Sequence, residues 1–200
     1  MSRLRPLKPQ ELNAAQRQLY GQVSGGPRAA GPQRFRLTAG DGSLTGPFNV
    51  FLHAPTVGAA LSSVGEAIRY GTSLPARLRE LAILTVAGHR DSAFERYAHE
   101  RVGRSVGITE EEMRALRNLD DLDLDDPAEA AAYAFCKQAL RKRGVDDAIF
   151  AAAAEQLGEQ TLVELTALLG YYEGVALLLS VFDVGVPDDP DGVCHAGCDD

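Results

Sequence analysis

The run Leu81–Gly88, LAILTVAG, is apolar on every side of a helix, and no other stretch constrains the fold as strongly. A helix without a water-facing side has to be enclosed by other elements, so this one belongs at the centre of a core. No segment alternates convincingly with a period of two, so the enclosing elements are also predicted to be helices and the fold class is all-α. With 200 residues the chain is long enough for a single domain with a sizeable core, predicted to span residues 1–185.

Punctuation residues divide the rest. An amphipathic segment is predicted over Pro9–Val23, and a long Gly/Pro-rich loop over residues 24–47, ordered by Phe35, Leu37 and Phe48. A helix follows from Pro55 to Tyr70, ended by Gly71. The central helix is predicted to be capped by Ser73, to take Pro75 in its first turn and to run to Gly88. Ser92–Gly107 forms the next helix, and Thr109 with Glu112 makes a capping box for one ending near Leu119. The acidic stretch Leu119–Pro127 is a linker, since it lacks the glycine and terminal glutamate of a calcium loop. Ala128–Arg143, Asp146–Leu157 and Glu159–Phe182 complete the helices. The last of these is long and apolar, with Gly170 and Gly174 placed for close helix packing and for an oligomer interface. An acidic, mobile tail is predicted over residues 186–200.

Composition excludes several function classes. The formal net charge is −8 and the basic residues are scattered singly or in small groups, so no stripe for nucleic acid exists. No uninterrupted apolar run reaches the roughly 18 residues of a membrane span, and the N-terminus has no signal-peptide core, so a cytoplasmic protein is expected. Three cysteines make no disulfide framework. Cys194, His195 and Cys198 lie close together but lack a second ligand pair, so no metal site is assigned.

Chemistry concentrates in residues 80–99. Ser92, Glu95 and His99 fall at i, i+3 and i+7, on one helix face. Ser92 and Glu95 have a structural reading as a capping box worth about 1 kcal/mol. Glu80 stands at the edge of the apolar run, where an unpaired carboxylate would cost several kcal/mol, so it needs a partner. Two are available: Arg77, one turn earlier, as an ion pair, or His99 from the next helix. A carboxylate against an imidazole selects its tautomer and favours its charged form, which makes it a usable acid or base near neutrality. His53 and His89 have no partner at a recognisable spacing.

From Gly46 to Pro55 (GPFNVFLHAP) and from Leu74 to Met113, with RELAIL, a helix carrying E-x-x-x-H and a GITEE helix start, the chain resembles the carboxymuconolactone decarboxylase and alkylhydroperoxidase D-like family. Redox members of that family carry a glutamate, a C-x-x-C pair and a histidine four residues beyond it. The glutamate falls on Glu80 and the histidine on His99, while the cysteine positions fall on Ser92 and Glu95. Neither serine nor glutamate cycles through sulfenic acid and disulfide, which disfavours a thiol peroxidase. The resemblance implies an all-helical, cofactor-independent homo-oligomer (dimer, trimer or hexamer). It would be a lyase or isomerase acting on a small carboxylated lactone or related carbonyl compound. In that reading His99 is the acid/base, Glu80 orients it and Glu95 is a second proton carrier, with Arg77, Arg90, Arg96 and Ser92 contacting an acidic organic substrate. The alternatives are a redox protein using Cys136, Cys194 or Cys198, and a non-catalytic oligomeric binding protein.

Overall fold

The computed structural model describes residues 2–30 and 33–187, so Gly31, Pro32 and most of the predicted tail, with Cys194 and Cys198, lie outside the described residues. The regular secondary structure of the described residues is helical apart from one isolated bridge, Thr38 to Leu44. They form two compact units, the described residues of 1–67 with 177–187, and Ile68–Ala176.

In the first unit, α1 (Ala14–Gly25) starts at Asn13, which makes a reciprocal capping box with Gln16. It buries Leu19 and Val23. Asn49 of α2 (Pro47–Leu52) accepts from the Leu7 amide at 3.0 Å and donates back to the Leu7 carbonyl at 3.2 Å, which fastens the N-terminal strap. Within the long loop, the bridge at Leu44 and a short 3-10 turn at Pro27–Ala29 supply order; Phe48 is buried, whereas Phe35 and Leu37 are only half-buried. The helix α3 (Pro55–Tyr70) has the bounds its sequence predicts, and its last three residues, from Ile68, belong to the second unit.

The second unit is built around α4 (Ala76–His89). Leu78, Ala82, Ile83 and Val86 pack with Phe135, Cys136 and Leu140 of α7 (Pro127–Lys142) and with Leu165, Leu168 and Leu169 of α8 (Asp147–Val181). From its other side Leu81 and Leu84 pack with Ile108, Met113 and Leu116 around α6 (Glu110–Asn118). Two separate clusters on opposite sides are the reason the helix has no polar face. Thr85, fully buried within it, satisfies its hydroxyl on the Leu81 carbonyl at 2.7 Å. Gly88 allows the closest approach: a Cβ there would stand 2.1 Å from the Leu116 carbonyl oxygen.

Three local expectations change. The α4 cap is Pro75, not Ser73, because Pro75 is held extended (φ −53°, ψ 143°) and helical geometry begins only after it. Ser73 instead donates its amide and hydroxyl to Glu164 of α8, at 3.0 and 2.8 Å. The last two predicted helices are one element, Asp147–Val181, interrupted where the sequence places the break: Gly158 sits at φ 77°, ψ 163°. Gly170 and Gly174 do not serve close packing within the chain, since a Cβ at either would meet open space. By length and composition α8 is apolar enough to cross a membrane, a property hidden by the glutamates that interrupt its apolar runs. Its Leu162, Leu165, Leu168 and Leu169 are nevertheless core residues of the second unit.

Candidate active site

Glu80 lies in the first half of α4 and His99 in the middle of α5 (Ala93–Ser105), and the packing of these two helices brings the pair together inside the second unit. The Nδ1 of His99 is 2.7 Å from Glu80 Oε2, and both side chains are buried. The other ring nitrogen, Nε2, faces Glu95 Oε2 at 3.4 Å, one helical turn back on α5. A carboxylate, an imidazole and a second carboxylate therefore stand in line, shielded from water. Tyr172 of α8 closes one side, its ring edge-on to the imidazole with centroids 5.2 Å apart.

The two carboxyls are pushed in opposite directions. Burial works to raise the pKa of Glu80, but the His99 charge and hydrogen bond, with the charges of Arg69 and Arg79, outweigh it and hold the group below the ordinary value. Burial also acts on Glu95, and there it wins: His99 and Arg69 pull the pKa down, the neighbouring Glu80 adds to the rise, and the net shift is upward. An ionised Glu80 makes Nδ1 the proton-bearing nitrogen of His99, which leaves Nε2 to exchange a proton on the Glu95 side. Pairs of carboxyls separated in this way mark acid and base roles on one site.

Linkage gives Glu95 a measurable signature. Because its pKa is raised on folding, the native chain keeps a proton that an unfolded glutamate releases near ~4.3. The resulting stability is full at low pH and is lost as the pH rises through the folded-state value. Glu95→Gln is expected to remove that loss, so thermal melts between about pH 4 and about pH 8 should increasingly favour the variant as pH rises. A wild-type advantage that grows with pH would contradict the assignment.

Several sequence expectations are corrected. Ser92 is the N-cap residue of α5, but its side chain makes no capping hydrogen bond, and Glu95 is turned to His99 instead of back to the cap. The capping-box reading therefore fails here, whereas the one at Thr109 and Glu112 is present in full. Arg77 is not the partner of Glu80. Its guanidinium bonds both Glu129 oxygens at 3.0 Å, Glu112 and the Gly107 carbonyl, tying α4 to α6 and α7. Arg90 pairs with Glu173 at 2.6 Å and Arg96 with Asp91 at 2.7 Å, so neither is spent on the Glu80, His99 and Glu95 line. Cys136 is fully buried and its thiol is pushed up to about 12, the opposite of a reactive thiolate. His53 meets the Arg5 carbonyl at 3.1 Å and His89 lies 3.9 Å from Glu173.

Arg69, Arg79 and Tyr172 were not anticipated. Arg79 Nε lies 3.9 Å from Glu80 Oε1, beyond hydrogen-bonding reach, and Arg69 is coupled to Glu80, Glu95 and Tyr172. The available signals were a tyrosine hydroxyl in an apolar helix, which needs a polar partner, and an arginine beside a core carboxylate. Among the described residues, no group of three or more His, Cys, Asp or Glu side chains is placed to hold a metal ion.

Residues 55–138 match the model of the carboxymuconolactone decarboxylase family. No curated protein matches the chain. Among solved structures, the chain is similar to the alkylhydroperoxidase AhpD core of an uncharacterized peroxidase-related protein from Ralstonia eutropha JMP134, 16% identical over 94% of both chains with a TM-score of 0.73. The apo debrominase Bmp8 is 13% identical over 92% of both, with a TM-score of 0.68. An uncharacterized peroxidase-related protein from Silicibacter sp. TM1040 is 14% identical over 72% of this chain and 78% of its own, with a TM-score of 0.62. At these identities the likeness is one of fold. Residues 55–138, which hold Glu80, Glu95 and His99, match the carboxymuconolactone decarboxylase family model, and the described residues share the all-helical fold of AhpD-like structures.

Proposed function

We propose that the protein is a cofactor-independent lyase or isomerase that works by proton transfer on a small carboxylated lactone or related carbonyl compound. The observation that carries this reading is the buried Glu80, His99 and Glu95 line, with the carboxyls shifted in opposite directions. Loss of carbon dioxide next to a carbonyl leaves an enolate, and that carbon has to receive a proton. Glu95, kept neutral by burial, passes its proton to His99 Nε2 while Glu80 holds the proton on Nδ1. The resulting imidazolium gives the Nε2 proton to that carbon, and the Glu95 carboxylate regains a proton from solvent. With serine and glutamate at the positions of the redox pair, the same scaffold does proton chemistry in place of thiol chemistry. The test is a panel of small carboxylated γ-lactones assayed for carbon dioxide release and for double-bond migration. Turnover that requires His99 supports the reading. Peroxide reduction by the wild-type protein that is lost when Cys136, Cys194 and Cys198 are all replaced by serine, with no lactone turnover, would replace it.

We also propose that the chain self-associates through the outer face of α8. Val163, 69% exposed, recurs with exposed Ala167, Gly170 and Gly174 at spacings of four, three and four, an apolar stripe along one side of the helix. Small residues there let a second helix approach closely. Val163→Glu is expected to lower the mass seen by light scattering, and an unchanged mass would remove α8 as the interface.

A further inference from the structure

The Glu80, His99 and Glu95 line carries an imbalance of charge and of hydrogen bonding. Glu80 Oε1, Arg79 Nε and Arg69 Nε are all shielded from water, and none has a hydrogen-bond partner. Orphaned polar atoms of this kind are costly, and three at one carboxylate and imidazole pair are far above what a finished core tolerates. Arg69 reaches the cluster from the last turn of α3. It bonds the Tyr172 side chain, and Tyr172 in turn lies against the His99 ring. Charge points the same way. Two guanidiniums face the site, and of its two carboxyls Glu95 favours its neutral form, so Glu80 alone stands against them. Arg77, Arg90 and Arg96, by contrast, are already neutralised by Glu112, Glu129, Glu173 and Asp91.

We infer that Arg69, supported by Arg79, anchors the carboxylate of an anionic small molecule beside His99. The inference rests on the proposed reading of this cluster as a ligand site and adds the residue that selects for an acid. A guanidinium offers a carboxylate two parallel donors, and a free Nε is one of the pair that such recognition uses. A guest carboxylate would satisfy the orphaned donors and offset the second positive charge.

Equilibrium binding separates this role from catalysis. The probes are 5-oxotetrahydrofuran-2-carboxylate and its methyl ester, titrated by calorimetry against wild type, Arg69→Met, Arg69→Lys and His99→Gln. Wild type is expected to prefer the acid over the ester by at least ~10-fold, and Arg69→Met to abolish the preference. Arg69→Lys should keep part of it, since it retains the charge without the fork. Should Arg69→Met fail to fold, competition by acetate on the wild-type protein reads the same subsite. His99→Gln should bind the acid as wild type does even where it has no turnover, so loss of the proton-transfer reading and loss of the anion subsite give different results. Equal binding of acid and ester by wild type, or an acid preference that survives in Arg69→Met, overturns the inference.

Discussion

His99→Gln is expected to lower kcat on a carboxylated lactone substrate by about 10²–10⁴-fold, the usual worth of a positioned general acid or base. Glutamine is the informative replacement. Its amide can still donate to Glu80 Oε2, where His99 Nδ1 now stands at 2.7 Å, so the buried carboxylate keeps a partner and the fold is preserved. What glutamine cannot do is carry a proton between the Glu95 side and a reacting carbon. Glu80→Gln is a companion with a different signature. It keeps His99 but removes the charge that fixes the proton on Nδ1, so a smaller fall in kcat and a shift of the pH–rate profile are expected. A His99→Gln protein that turns over at the wild-type rate would leave the line as a structural network, and the non-catalytic reading of the chain would then stand.

How much of this was legible in the sequence depends on how local each determinant is. The central position of α4 could be read because burial on all sides requires an apolar run, and Leu81–Gly88 has no other explanation. The break at Gly158 could be read because its backbone, at φ 77°, lies where L-residues with side chains are rare. Thr109 and Glu112 could be read as a capping box for the same local reason. Ser92 and Glu95 present an equivalent pattern and do not form one. Their difference lies outside the local motif: Glu95 has a histidine one turn further on and a buried environment, and it turns to that partner. Pairing of charges was harder still. Arg77 is one turn from Glu80 in sequence, yet Glu112 and Glu129 arrive from two other helices and claim it. The partners of Arg69 and Tyr172 were not legible, since Tyr172 meets His99 from α8 and Arg69 meets Tyr172 from α3, and no short window contains those residues together.

His99→Leu is expected to lower the unfolding free energy at neutral pH by about 3–5 kcal/mol, because it leaves the Glu80 carboxylate buried without its hydrogen-bonding partner. Arg79 does not substitute, since its Nε stands 3.9 Å from Glu80 Oε1. The pH dependence distinguishes this cause from a simple packing defect. In wild type the Glu80 pKa is lowered on folding, so its stabilising contribution is full above the unfolded glutamate value, near ~4.3, and is lost as the pH falls through the folded-state value. In the variant the same carboxyl has burial without the imidazole, its pKa rises, and it becomes neutral as the solution is acidified. The stability gap between the two proteins should therefore be widest at neutral pH and close toward acid. The double variant Glu80→Leu/His99→Leu removes both polar groups and should recover most of the loss, giving a strongly sub-additive cycle in urea unfolding. A gap independent of pH, or a double variant whose loss equals the sum of the singles, would mean that shape at the α4 and α5 contact, not charge pairing, sets the energy of the site.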